Sequence, residues 1–120
     1  MLLDFGVNET GPMQLEKGPI FVVQPEDAIY DPASLNKSVV MNCEADANPL
    51  ASYVWFVDRA PLPRRPVNLT DPKIMVTRGR LMIDQPSNTQ HDGDYQCVAT
   101  NSFGSILSND AQLNFGCESA

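Results

Sequence analysis

Asp92-Gly93-Asp94-Tyr95-Gln96-Cys97 is the stretch on which the reading of this chain turns. A cysteine closing such a run, with a tyrosine two positions before it, fits a strand that enters a sheet from a tight turn. The tyrosine ring is then buried and its hydroxyl tied to nearby backbone. Working outward, Cys43 and Trp55 complete the pattern. The interval from Cys43 to Trp55 leaves room to finish one strand, turn, and reach the middle of the next. Together these residues describe two β-sheets packed face to face, joined by a Cys43–Cys97 disulfide over a buried Trp55 indole.

The rest of the chain agrees with a sheet period. Val39, Met41, Cys43 and Ala45 alternate with Val40, Asn42 and Glu44, so one set faces inward and the other outward. Tyr53, Trp55 and Val57 form the next inward set, followed by Tyr95, Cys97 and Ala99, then Ala111, Leu113 and Phe115. Ile74-Met75-Val76 and Leu81-Met82-Ile83 read as short strands around Arg78-Gly79. Ile20 to Val23 reads as a strand that Pro25 interrupts and Ala28 to Tyr30 resumes. Proline cannot donate to a ladder, so this is an edge strand expected to cross from one sheet to the other at the break. Asn101-Ser102-Phe103-Gly104 reads as a tight hairpin with Gly104 at positive φ. The prolines between Asp58 and Pro72 leave space for one short edge strand and not two. The fold class is therefore all-β: an immunoglobulin-like β-sandwich of the intermediate set, with seven to eight strands and one inter-sheet disulfide.

Bulk properties set the limits. The 120 residues hold one domain with short tails. Residues 1–18 read as a flexible leader, 19–116 as the domain and 117–120 as a C-terminal tail. A net charge of −7 argues against nucleic acid and anionic membrane surfaces, which need clustered Lys and Arg, and fits plain solubility. No stretch reaches the roughly 18 apolar residues of a membrane helix. Met1-Leu2-Leu3 meets Asp4 at once, without the apolar core of a secretion signal, so an excised piece of a longer chain is expected. A Cys43–Cys97 bridge closes a loop of about 55 residues, worth roughly 4 kcal/mol on a chain-entropy estimate, and implies an oxidising compartment. Cys117 lies past the last strand. It could pair with another chain or an absent region, and reads more simply as a boundary effect.

Enzymatic signals are missing. The one histidine, His91, beside the Asp92-Gly93 turn, reads as a solvated loop residue, so no histidine-bearing metal cluster and no nucleophile–histidine pair is expected. Asp31, Asp46, Asp92 and Asp94 lack calcium-loop spacing. Asp92 is expected to cap its turn and pair with a base such as Lys73 or Arg78. No catalytic residue, metal or cofactor is assigned. Three acceptor sequons, at Asn8, Asn36 and Asn68, all fall in the leader or in loops, where bulky glycans fit, and with the disulfide they favour an extracellular site. Val54 and Phe56, which flank Trp55, and Val98 on the neighbouring strand point outward and form a candidate interface. The prolines of Ala60 to Pro66 could instead fold over it. Phe103, on the hairpin tip, is a second candidate contact.

Gly18-Pro19-Ile20-Phe21 with Gln24-Pro25, Ala47 to Trp55, and Asp92 to Asn101 followed by Gly104 resemble an immunoglobulin-superfamily cell-adhesion molecule, and more narrowly the first immunoglobulin domain of the contactin family. The resemblance covers about residues 18–116. It implies a domain packed against neighbouring immunoglobulin domains in a horseshoe of four. It also implies an anchor to the cell surface outside this fragment and homophilic or heterophilic protein partners in adhesion or axon guidance. One departure is that the family places basic residues beside that tryptophan, where this chain has Val54 and Phe56. The expectation is a non-enzymatic, extracellular recognition module. Rivals are a ligand-binding ectodomain module of a receptor kinase or phosphatase, and an intracellular structural module of muscle filaments, which the sequons and the cysteine pair disfavour.

Overall fold

The structure is a computed structural model that describes residues 15–116. Asn8, Cys117 and residues 1–14 of the expected leader lie outside the described residues. The described residues form eleven strands, in this order. They are β1 (Lys17–Val23), β2 (Ala28–Tyr30), β3 (Ser38–Asn42), β4 (Glu44–Asn48), β5 (Ser52–Asp58) and β6 (Arg65–Pro66). Then come β7 (Ile74–Thr77), β8 (Arg80–Asp84), β9 (Gly93–Asn101), β10 (Gly104–Leu107) and β11 (Ala111–Phe115).

One layer is a six-stranded sheet in the order β2-β11-β9-β5-β6, with β10 also paired to β9. The other is split into β1-β4 and β3-β8-β7. The eleven segments reduce to the expected seven to eight strands because three strands are interrupted. Pro25, itself buried, ends β1, which pairs with β4. The chain then crosses the sandwich, and β2 joins β11 in parallel. Cys43 divides β3 from β4: below it the strand pairs with β8, above it with β1. The third break lies between β10 and β11. Val98 stands opposite Leu107 but Tyr95 opposite Ala111, three residues on one strand against four on the other. The buried Ser108 fills the gap, donating its N–H to Cys97 O at 2.9 Å and accepting Cys97 N–H on Oγ at 2.9 Å. This is a bulge in which a hydroxyl replaces a backbone acceptor.

The core follows from alternation. Val39, Met41, Cys43, Trp55, Val57, Leu81, Ile83, Tyr95, Cys97, Ala111 and Leu113 are all buried in one cluster. The Cys43–Cys97 disulfide joins the two layers across a Cα–Cα distance of 6.4 Å. Trp55 is 1 % exposed, and its Nε1–H has no hydrogen-bond partner among the described residues. Tyr95 is buried too, and its hydroxyl donates to His91 O at 2.6 Å. Burial away from water pushes the phenol well above its ordinary range.

Two expectations about the turn before β9 are corrected. His91 is not solvated: it is 2 % exposed. The tyrosine hydroxyl draws the His91 carbonyl inward, and the imidazole follows it under the end of the sandwich. Ser87 N–H donates to His91 Nδ1 at 2.8 Å, so Nε2 carries the hydrogen and donates it to Asp71 Oδ2 at 2.9 Å. The partner of Asp92 is neither Lys73 nor Arg78 but Arg59, at the end of β5. The Arg59 guanidinium reaches Asp92 Oδ1 through Nη2 at 2.7 Å and Nε at 3.1 Å, and Thr89 O at 2.9 Å. Lys73 turns instead to Gln85 O at 3.0 Å.

Candidate protein-interaction face

The face is built by antiparallel register. On β5, Trp55 and Val57 point into the core, so Val54 and Phe56 point out of the six-stranded sheet. On β9, Tyr95, Cys97 and Ala99 are buried, which turns Gln96, Val98 and Thr100 outward. Val98 lies opposite Val54 on one side and Leu107 of β10 on the other. Three apolar side chains therefore form one row across three strands, within the close spacing of cross-strand neighbours. Val54 is 48 % exposed and Leu107 54 %, with Val98 half-buried between them.

Phe56 sits one pleat along β5, beside that row but not open like it. It stands opposite Gln96 on one side and Pro66 on the other. The Arg64 guanidinium carbon lies 4.4 Å from its ring centroid, a cation–π contact that leaves the ring half-buried. Residues of the proline-rich stretch thus cover Phe56 and leave Val54 and Val98 uncovered. Phe103 belongs to another location. It occupies the two-residue tip between Asn101 and Gly104, half exposed, with its Cβ beside Gly18 of β1. Asn101 holds that tip in place, accepting Phe103 N–H on Oδ1 and donating Nδ2 to Lys17 O and Pro49 O.

Leu107 escaped sequence reasoning because β10 ends at the bulge after it. The signal was the Ser105/Leu107 alternation, which the Asn101–Gly104 turn places opposite Thr100 and Val98. The row is flanked on one side by Phe56 and Gln96, with Asp94 facing Asp58 one pleat further, and on the other by Ser52, Thr100 and Ser105. A partner that fits must offer apolar surface with donors or cations at its rim. The other layer also has an outward row, Val40, Met82 and Met75 in register, with Met75 55 % exposed. Among the described residues there is no cluster of three or more His, Cys, Asp or Glu side chains that could hold a metal. Asn36 and Asn68 are both exposed on loops.

Comparison with known proteins agrees with this architecture. The family described as "Immunoglobulin domain" matches residues 19–101. Contactin-1a of Danio rerio is 39 % identical over 99 residues, covering 82 % of this chain and 9 % of that protein. Contactin-5 of Mus musculus is 40 % identical over 101 residues, covering 84 % of this chain and 9 % of that one. The chain thus spans 9 % of the length of these curated relatives. Among solved structures, the N-terminal Ig1-2 module of the Drosophila receptor protein tyrosine phosphatase DLAR superposes with a TM-score of 0.72. At 23 % identity, over 95 % of this chain and 52 % of that one, it speaks to the fold alone. The chain belongs to the immunoglobulin domain family and is a contactin-like member of it.

Proposed function

We propose that this chain is an extracellular recognition module of a neural-type cell-adhesion protein, binding a cell-surface protein partner, homophilic or heterophilic, through the outer face of its six-stranded sheet. The observation that carries the reading is the open row Val54–Val98–Leu107 on a contactin-like immunoglobulin domain. Phe56 under Arg64 extends the apolar area, and Phe103 is a separate contact at the hairpin tip. A disulfide at the centre of the core supports an oxidising, extracellular setting. Work in adhesion or axon guidance, neighbouring immunoglobulin domains and a surface anchor follow the likeness to contactins. The module acts by surface contact and carries out no reaction of its own.

The test is Val54→Asp, with Val98→Asp beside it, in protein displayed on beads. Bead–bead aggregation reads homophilic binding, and capture on neural cell surfaces reads heterophilic binding. Arg80→Ala, at an exposed position on β8 of the opposite layer, is the control. Loss of either binding by the Val54 and Val98 variants, with the control intact, is expected; binding unchanged in both assays discards this face.

A further inference from the structure

The two sheets end on the same side of the molecule. β6 terminates the six-stranded sheet and β7 the three-stranded one, and residues 67–73 connect them. Open strand edges are templates for pairing with other chains unless something blunts them. β6 is blunted by its own Pro66. β7 is not: it has one strand neighbour among the described residues and reads Ile74-Met75-Val76-Thr77, apolar and rich in β-branched residues, without a charge or a proline.

Asn68 lies on the connecting loop and, with Ile74 at the start of β7, lines one surface concavity of about 420 Å³. The loop around it is pinned. Buried Val67 donates its N–H to Trp55 O at 3.0 Å, Asp71 accepts from His91 at 2.9 Å, and Ile74 N–H returns to Asp71 O at 3.0 Å. Asn68 is exposed on this fixed loop. Its Oδ1 accepts both the Thr70 N–H at 3.0 Å and the Thr70 hydroxyl at 2.5 Å. Its Nδ2 has no hydrogen-bond partner among the described residues. An Asn-x-Thr triplet is therefore held with its carbonyl oxygen engaged by the threonine and its amide nitrogen turned to solvent.

We propose that Asn68 is an N-glycosylation site whose oligosaccharide shields the open edge of β7 against pairing between copies of the chain. The step is transfer from a lipid-diphosphate-linked oligosaccharide. Asn68 Nδ2 bonds the anomeric carbon, the sugar–phosphate bond breaks, the lipid diphosphate leaves, and the amide proton passes to a base of the transferase. Both hydrogen bonds to Oδ1 survive, because only Nδ2 is modified. A glycan here sits at the start of the connection, just past Pro66, on the side where the two sheets end. The inference rests on the extracellular reading but not on the docking face.

The experiment is secretion of the chain from animal cells, then release of glycans by peptide N-glycosidase in ¹⁸O water and peptide mass mapping. Asn68 is expected to convert to ¹⁸O-labelled aspartate. Both Asn68→Gln and Thr70→Ala are expected to lose one glycan mass, the second with Asn68 still in place. Secreted, disulfide-bonded protein with Asn68 unlabelled overturns the site while leaving the extracellular reading standing. For the shield, enzymatically deglycosylated protein is expected to self-associate in sedimentation, and Met75→Lys on the edge strand to abolish that association. Deglycosylated protein that stays monomeric overturns the shielding role.

Discussion

His91 Nε2 donates to Asp71 Oδ2 at 2.9 Å across a sequence separation of 20 residues, tying the turn before β9 to the loop that connects the two sheets. The ring is enclosed on its other nitrogen as well, where Ser87 N–H donates to Nδ1. His91 therefore joins three segments: through its ring the turn after β8 and the loop carrying Asn68, and through its carbonyl the tyrosine that anchors β9.

Removing that ring should be costly. His91→Ala leaves a cavity at a 2 % exposed site, an unsatisfied Ser87 N–H and an Asp71 without its donor. A loss of about 2–4 kcal/mol is expected from denaturant unfolding. His91→Asn can place Oδ1 where Nδ1 stands and should recover part of it. Equal losses for both variants would show that only the ring volume matters.

The same contact gives an acid-side pH dependence. The His91 Nε2–H, and after it the Lys73 backbone N–H, hold the Asp71 carboxyl below the usual carboxylate range. A group whose native pKa is depressed stabilises the fold above its unfolded value, about 3.9 for aspartate, and loses that contribution as pH falls through the native value. Unfolding midpoints taken downward from pH ~6 should therefore fall more steeply for the native protein than for Asp71→Asn, which cannot titrate. Parallel curves would place the acid sensitivity elsewhere.

Arg59 carries a separate junction. Its guanidinium bonds the Asp92 carboxylate twice and the backbone oxygens of Asp92 and Thr89 once each. The pair is only partly enclosed, with side-chain exposures of 22 % for Arg59 and 48 % for Asp92, so charge attraction alone is weak. The fork of charge-assisted bonds to fixed oxygens is what counts. Arg59→Ala should cost about 1–3 kcal/mol, Arg59→Lys nearly as much because it loses the fork, and Lys73→Ala no more than about 0.5 kcal/mol. Urea midpoints rank the three. A larger effect at Lys73 would contradict the assignment.

What the sequence disclosed and what it hid divide along one physical line. Period-two alternation shows inward residues directly, so Met41, Trp55, Cys97 and Leu113 are legible one strand at a time. The order of hydrogen-bonded neighbours is not. Alternation runs unbroken through Cys43, yet the strand changes partner there, from β8 to β1. Contacts that depend on where a turn directs a long side chain were hidden for the same reason. Arg59 and Asp92 are 33 residues apart, and nothing local distinguishes Arg59 from Lys73 as the partner. His91 was readable in principle. A tyrosine whose hydroxyl returns to the carbonyl four residues upstream pulls that residue inward, and that residue is His91. At the interaction face, Val54 and Val98 were legible by parity, whereas the cover over Phe56 depends on the path from Ala60 to Pro66.

Two glycines that look alike in sequence should behave differently. Gly79 is packed where the turn between β7 and β8 approaches the disulfide strand: its carbonyl accepts Cys43 N–H at 2.9 Å. A Cβ built on it would lie 1.8 Å from Cys43 O and 2.9 Å from Cys43 C. Both are backbone atoms next to the bridge, with no flexible side chain to give way. The positive φ in this turn falls instead on Arg78, at 55°. Gly104 has the opposite constraint. A Cβ there meets nothing within 4 Å among the described residues, but φ is +152°, a backbone region that L-residues rarely adopt. Gly104→Ala should therefore cost about 1 kcal/mol of conformational strain and leave the fold intact. Gly79→Ala must displace the turn from Cys43 and should cost several-fold more, on the order of 3–5 kcal/mol, with slower formation of the Cys43–Cys97 bridge during oxidative refolding. Thermal unfolding of the two variants decides it. Comparable losses at both positions would mean that the turn after β7 is free to move away from the disulfide strand.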